Sequence, residues 1–183
     1  MNISDDTFFL GDIHVETLMQ EYGSPLYVYE ESVLRSQFRQ LSSGFPEGLL
    51  EIHYSMKANS NPSLLKILRE EGSSIDAVSE FEVRLALESG FEPQQIIFTG
   101  NNNSLAEIEY CVEQEVSVNL GSLVLLEKFG QRFPQTSVSV RINPGIGAGH
   151  HAHCITGGPD SKFGIYHDQI DVALALATKY KLT

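Results

Sequence analysis

Residues 75–99 read IDAVSEFEVRLALESGFEPQQIIFT. The stretch opens on a short apolar run, Ile75–Val78. It continues through Phe81–Ser89, where Phe81, Leu85 and Leu87 sit among charges, stops at Gly90, and returns to a second β-branched run at Ile96–Thr99. A short apolar run, an amphipathic segment closed by glycine and another short apolar run predict one strand–helix–strand unit.

The same unit recurs on both sides. Ile52–Met56, Val116–Asn119 and Val138–Ile142 are further apolar runs, and the starts of the five runs lie roughly 20–23 residues apart. Pro62–Glu71 places Leu64, Leu65, Ile67 and Leu68 on one helical face before Gly72. Ser104 with Glu107 three residues on is a capping box opening LAEIEYCVEQE, and Ser122 caps LVLLEKFGQRF, with Gly130 as an expected interruption. Asp168–Tyr180 (DQIDVALALATKY) is a further helix.

Strands alternating with helices at this period predict an α/β fold with parallel strands. No G-x-G-x-x-G follows any strand, which disfavours a dinucleotide-binding sheet. The short regular repeat favours a (β/α)8 TIM barrel, which needs about eight units and around 250 residues. The five units here predict a partial barrel lacking its last strands. The first fifty residues break the pattern. Phe8–Leu10 and Leu26–Tyr29 read as short strands, and Val15–Tyr22 and Glu31–Leu41 as helices.

The formal net charge is −12 with a pI near 4.8. Such a surface repels phosphate backbones and anionic membranes, so neither nucleic acid nor membrane is an expected partner. Two cysteines, Cys111 and Cys154, make no disulfide framework, and MNISDDTFFL has no basic start of a signal peptide. These features predict a reduced, cytoplasmic chain.

In a parallel barrel the chemistry lies at the C-terminal ends of the strands. Those positions hold Lys57 after the first run, Asp76 in the second, Thr99–Asn103 after the third, Asn119–Ser122 at the fourth and Arg141–Gly145 at the fifth. A partly desolvated Lys57 is a candidate nucleophile toward an aldehyde, and a solvent-reaching lysine is the plainer alternative. Asp76 is either a partner for a pocket cation or a helix-cap or turn aspartate. Arg141, inside an apolar strand, needs an acidic partner: a ligand anion or a structural carboxylate. The loop Asn143–Gly164 carries His150, His151, His153 and Cys154, but four ligands within five residues wrap one tetrahedral ion poorly, so no metal is expected.

Taken together, YSMKAN (54–59), IDAVSEFEVRLALESG (75–90), IIFTGNNNS (96–104), VSVNLGS (116–122) and VRINPGIGAGHHAHCITGGPDSKFGI (140–165) resemble the diaminopimelate decarboxylases. These form a branch of the pyridoxal-phosphate (PLP) decarboxylases with an alanine-racemase-like barrel. The resemblance runs from about Gly11 to the end. The lysine motif is shared with ornithine and arginine decarboxylases, whereas the INPG…TGG…SKFG loop is specific to this branch.

The resemblance implies that Lys57 holds PLP covalently and that Asp76 and Glu82 are acids near that lysine. It implies that Arg141 reaches the cofactor side of the pocket, that His150 or His151 is the loop histidine, and that Lys162 positions the loop. It implies decarboxylation of meso-2,6-diaminopimelate to L-lysine in a homodimer. It places the ring-stacking histidine, phosphate-binding glycines, substrate ligands and a C-terminal β-domain beyond Thr183. Residues 1–30 would partly join that domain, 31–183 would form the incomplete barrel, and the chain alone would be inactive. The alternatives are a sister decarboxylase acting on ornithine, arginine or carboxynorspermidine, or a non-catalytic PLP-binding or bare barrel.

Overall fold

The structure, a computed structural model, describes residues 2–4, 7–46, 48–148, 151 and 155–183. It divides into two compact units, Met1–Leu50 and Glu51–Thr183.

In the first unit, β1 (Asn2–Ser4), β2 (Thr7–Leu10) and β3 (Ile13–His14) form an antiparallel sheet in the order β1-β2-β3. Helix α1 (Val15–Tyr22) follows directly, its first turn capped by the His14 ring accepting from the Glu16 amide, and α2 spans Glu31–Ser42. The expected strand at Leu26–Tyr29 is absent. Its alternating Leu26 and Val28 instead line a shallow apolar pocket with Leu10, Val15, Leu18 and Met19. The alternation there reflects packing rather than strand pairing.

The second unit is the repeated one. Strands β4 (His53–Ser55), β5 (Ser74–Ala77), β6 (Ile96–Phe98), β7 (Ser117–Leu120) and β8 (Ser139–Val140) form a parallel sheet in sequence order. Helices α3 (Pro62–Glu70), α4 (Glu80–Glu88), α5 (Leu105–Glu113) and α6 (Leu123–Arg132) connect them. Local chemistry sets their limits: Asn61, Ser79, Ser104 and Ser122 each accept a backbone N–H of the first turn, and Gly72 and Gly90 follow α3 and α4 with positive φ.

Register gives the sheet two unlike faces. Ile75 pairs with Ile96, Ala77 with Phe98, Phe98 with Val118, and Leu120 with Val140. Ile75, Ala77, Ile96, Phe98, Val118 and Leu120 are all buried, in one cluster with Leu65 of α3, Val83 and Ala86 of α4, Ile108 of α5, and Leu126 and Phe129 of α6. Each fully buried aliphatic or aromatic side chain there contributes about 1.5–3 kcal/mol. The opposite parity is mostly polar: Ser55 pairs with Asp76, and Asn119 with Ser139. His53, Ser117 and Ser139 on that face are exposed.

Three further features depart from expectation. The fifth strand is divided at Arg141, with β9 (Ile142–Asn143) continuing it. The Arg141 amide donates to Leu120 of β7 at 2.9 Å, while its carbonyl accepts from Ile165 at 2.7 Å. Ile165–Tyr166, just after the Asn143–Gly164 loop and assigned no element from the sequence, is β10, a short parallel partner of β9. Two residues are too few to show a hydrophobic period. Gly130 also fails to interrupt α6. The helix runs on to Arg132, and α7 (Ile170–Tyr180) packs Tyr180 against the glycine. No helix among the described residues is long and apolar enough to cross a membrane.

Candidate functional site

The polar face converges at the C-terminal ends of β4 to β8. Asp76, half-buried within β5, accepts from both neighbouring strands: Ser55 Oγ, ending β4, donates to Oδ2 at 2.8 Å, and Thr99 Oγ1, just past β6, donates to Oδ1. The helix-cap or turn-aspartate alternative is therefore excluded. Thr99 stands there because its amide donates to the Ala77 carbonyl at 2.8 Å, extending β6 by one residue.

Thr99 also faces a cavity of about 20 Å³ that it lines with Gly100, Asn101, Asn119, Gly121 and Arg141. Asn119 Oδ1 is buried with no hydrogen-bond partner among the described residues. The Arg141 guanidinium donates to the Thr156 carbonyl at 3.1 Å and lies 4.6 Å from the Phe163 ring centroid. The structural carboxylate partner considered for Arg141 is thus replaced, among the described residues, by a carbonyl and an aromatic face.

Lys57 follows β4 in a turn and is exposed in this chain. β4 is the terminal strand, and only β5 flanks it among the described residues. Glu82 is engaged as a cap. Its carboxylate accepts the Val78 amide at 2.6 Å, while its own amide donates to Ser79 Oγ at 3.2 Å. This pins the exit of β5 just past Asp76.

The Asn143–Gly164 loop is organised by a residue the sequence reading does not single out. Asn143 is 2% exposed, and its amide makes four hydrogen bonds. Nδ2 donates to the Gly158 and Phe163 carbonyls, both at 3.1 Å, and Oδ1 accepts from Gly145 at 3.0 Å and Gly158 at 2.9 Å. That is the full capacity of a primary amide. The close packing requires glycine at Gly147, where a Cβ would stand 2.4 Å from the Gly157 carbonyl oxygen. Of the SKFG motif, Phe163 reaches Arg141. Lys162 is exposed and, with Lys128 and Asn101–Asn103, lines an adjoining cavity of about 300 Å³ that shares Gly100, Asn101 and Gly121 with the smaller one. His151 is exposed, while His150, His153 and Cys154 lie outside the described residues. Among the described residues no cluster of three metal-type ligands occurs.

The structure therefore brings Asp76, Thr99, Asn119 and Arg141 to one end of the sheet. It leaves Lys57 on the edge, Glu82 on a cap and Lys162 in a neighbouring cavity. Thr99, Asn119 and Asn143 fall within the strand-end stretches named from the sequence without being singled out there, and Ser55 is missed altogether; its signal is strand parity, usable only once the register is known.

A parallel α/β sheet with a polar row at its strand ends is the class of fold whose ligand sites lie at those ends. Residues 31–183 match the family described as pyridoxal-dependent decarboxylase, pyridoxal binding domain, and the chain belongs to that family. It is 42% identical over 159 residues to a diaminopimelate decarboxylase of Methanothermobacter thermautotrophicus, covering 85% of this chain and 37% of the relative. It is 34% identical over 178 residues to that of Escherichia coli K12, covering 93% and 41%. Among solved structures, the Helicobacter pylori diaminopimelate decarboxylase complexed with L-lysine superposes with a TM-score of 0.84 at 32% identity, covering 92% of this chain and 44% of that one. A Paramecium bursaria Chlorella virus arginine decarboxylase shares the fold at 21% identity and a TM-score of 0.73. The chain thus spans about two-fifths of the length of these curated relatives.

Proposed function

We propose that this chain is the pyridoxal-binding part of a PLP-dependent diaminopimelate decarboxylase, which converts meso-2,6-diaminopimelate to L-lysine and CO2. The observation that carries the reading is the polar row at the strand ends. Acceptor oxygens of Asp76 and Asn119 and the Arg141 guanidinium lie at one end of a sheet whose opposite face is fully committed to core. The donor set fits a heteroaromatic aldehyde bearing an anion. Asn119 Oδ1 is a buried acceptor with no donor among the described residues, Arg141 supplies a cation, and Asp76 supplies an acceptor. Relatives at 34–42% identity named diaminopimelate decarboxylases support the substrate class.

When bound, the cofactor supplies an electron sink for the carbanion left by loss of CO2. Lys57 Nζ would be the amine that holds the cofactor's aldehyde, and the same amine would serve to carry a proton for the reacting carbon. Asp76, held by two hydroxyls, orients a donor on the cofactor side. Arg141, braced on Thr156 and Phe163, presents its remaining N–H groups to an anionic group. Glu82 keeps the β5 exit in place through the Val78 amide. In this reading His150 or His151 is the family's loop histidine, and Lys162 positions the loop. In this reading the sheet is part of a (β/α)8 barrel, residues 1–30 join a C-terminal β-domain, and the protein is a cytoplasmic homodimer.

The test is borohydride reduction of the full-length protein with PLP, followed by peptide mass analysis. The expected result is a cofactor adduct on the Lys57 peptide that is lost, with turnover, in Lys57→Ala. Full turnover by Lys57→Ala would overturn the reading. CO2 release from ornithine or arginine in preference to diaminopimelate would reassign the substrate.

A further inference from the structure

We infer that Ser55 and Thr99 are positioning residues that lock the Asp76 carboxylate in one orientation, an inference that rests on the pyridoxal-binding reading above. Three adjacent parallel strands contribute one residue each. Ser55 ends β4, Asp76 lies in β5, and Thr99 is the first residue past β6. Ser55 and Asp76 are directly paired in the ladder, and the Thr99 amide is fixed to Ala77 at 2.8 Å. Both hydroxyls are therefore held by backbone that the hydrophobic core makes rigid, with Ile75, Ala77 and Phe98 each at most 1% exposed on the far face.

Each hydroxyl has a single proton, and both are given to the same carboxylate, one to each oxygen. Two consequences follow. The side chain cannot rotate about its χ angles without breaking one of the two bonds. Any third group that meets Asp76 must itself be a donor: an ammonium, a guanidinium or a hydroxyl. Thr99 adds a second link, since it also lines the cavity shared with Asn119 and Arg141. It thus joins the acidic and the cationic parts of the site in one residue. The role assigned to Ser55 and Thr99 is exerted through Asp76.

Thr99→Val keeps the shape and removes the donor, whereas Thr99→Ser restores it. In cofactor-free full-length protein, the side-chain carboxylate ¹³C resonance of Asp76 is expected to move in Thr99→Val and in Ser55→Ala and to return to the parent position in Thr99→Ser. In titrations with PLP followed by absorbance, Thr99→Val is expected to weaken binding about tenfold and Thr99→Ser no more than about twofold. If Thr99→Val fails to fold, Ser55→Ala in both measurements decides the matter. An Asp76 resonance unchanged in Ser55→Ala and in Thr99→Val, or a Thr99→Ser variant as weak as Thr99→Val, overturns the inference. If the parent itself fails to bind PLP, the proposed function falls, while the carboxylate resonance still decides whether the two hydroxyls hold Asp76.

Discussion

Asn143 and Gly158 are hydrogen-bonded to each other twice. The Asn143 amide nitrogen donates to the Gly158 carbonyl at 3.1 Å, and the Gly158 amide donates to Asn143 Oδ1 at 2.9 Å. This closed pair ties the end of the fifth strand to a loop fifteen residues further on. With the bonds to Gly145 and Phe163, it also fixes the backbone carrying Arg141 on one side and Phe163 on the other.

Replacing Asn143 by alanine removes four hydrogen bonds and takes from the Gly145 and Gly158 amides and the Phe163 carbonyl the partner they have here, while the Gly158 carbonyl keeps the Ser161 amide at 3.2 Å. Leaving even one or two unsatisfied costs about 1–3 kcal/mol each, so Asn143→Ala is expected to lose about 3 kcal/mol in urea unfolding. Asn143→Asp, which keeps the acceptor and loses the donor, is expected to do little better. Hydrogen exchange at the Gly158 and Gly145 amides should accelerate in both. Unchanged exchange would show that the loop is held by other means.

Gly130 looks like a helix breaker and is instead a contact point. A Cβ there would lie 2.3 Å from Cδ2 of Tyr180. Gly130→Ala gains about 1 kcal/mol of helix propensity. It loses about 1–3 kcal/mol by overpacking α6 against α7. Net destabilisation is expected by thermal melting. Adding Tyr180→Ala to Gly130→Ala should cost less than Tyr180→Ala costs in the parent, since the clash disappears with the ring.

The α5 cap is the local feature most directly readable as a number. Ser104 Oγ accepts the Glu107 amide at 3.3 Å, and the Glu107 carboxylate accepts the Ser104 amide at 2.8 Å. The Ser104 amide bond holds the Glu107 carboxyl below its ordinary value, with smaller help from the Ser104 hydroxyl and Asn103. Because the folded value is lowered, this contribution is complete above the unfolded carboxyl value and fades as pH falls through the folded one. Ser104→Ala is expected to cost about 1 kcal/mol at neutral pH. Glu107→Gln should flatten the acid side of the stability profile.

Cys111 lies buried in the core of α5, and burial pushes its thiol up to about 12 from the usual 9.0. The folded thiol keeps its proton in a range where the unfolded one loses it. Stability linked to this group is therefore intact below about 9 and declines as pH rises toward 12. Cys111→Ala is expected to lessen that alkaline decline while costing neutral-pH stability through a small cavity. Alkylation of Cys111 in native protein should track global unfolding, and rapid labelling at pH 8 would refute its burial.

What the sequence determined by itself is the part governed by near neighbours. The βα period, the parallel arrangement and the helix limits follow from side-chain periodicity, caps and glycine stops. Each acts over four residues or fewer, as at Ser104 with Glu107. Asp76 and Arg141 could be picked out because a charge within an apolar run is visible locally. Tertiary structure decided everything that depends on register. It set Ser55 and Thr99, 21 and 23 residues away, against Asp76. It seated Asn143 among partners 15 and 20 residues distant. It made Ile165–Tyr166 a strand by giving it β9 to pair with, and it left Lys57 exposed after the terminal strand β4. A hydrogen bond between distant residues is fixed by how strands slide past one another, and a single chain read end to end carries no measure of that offset.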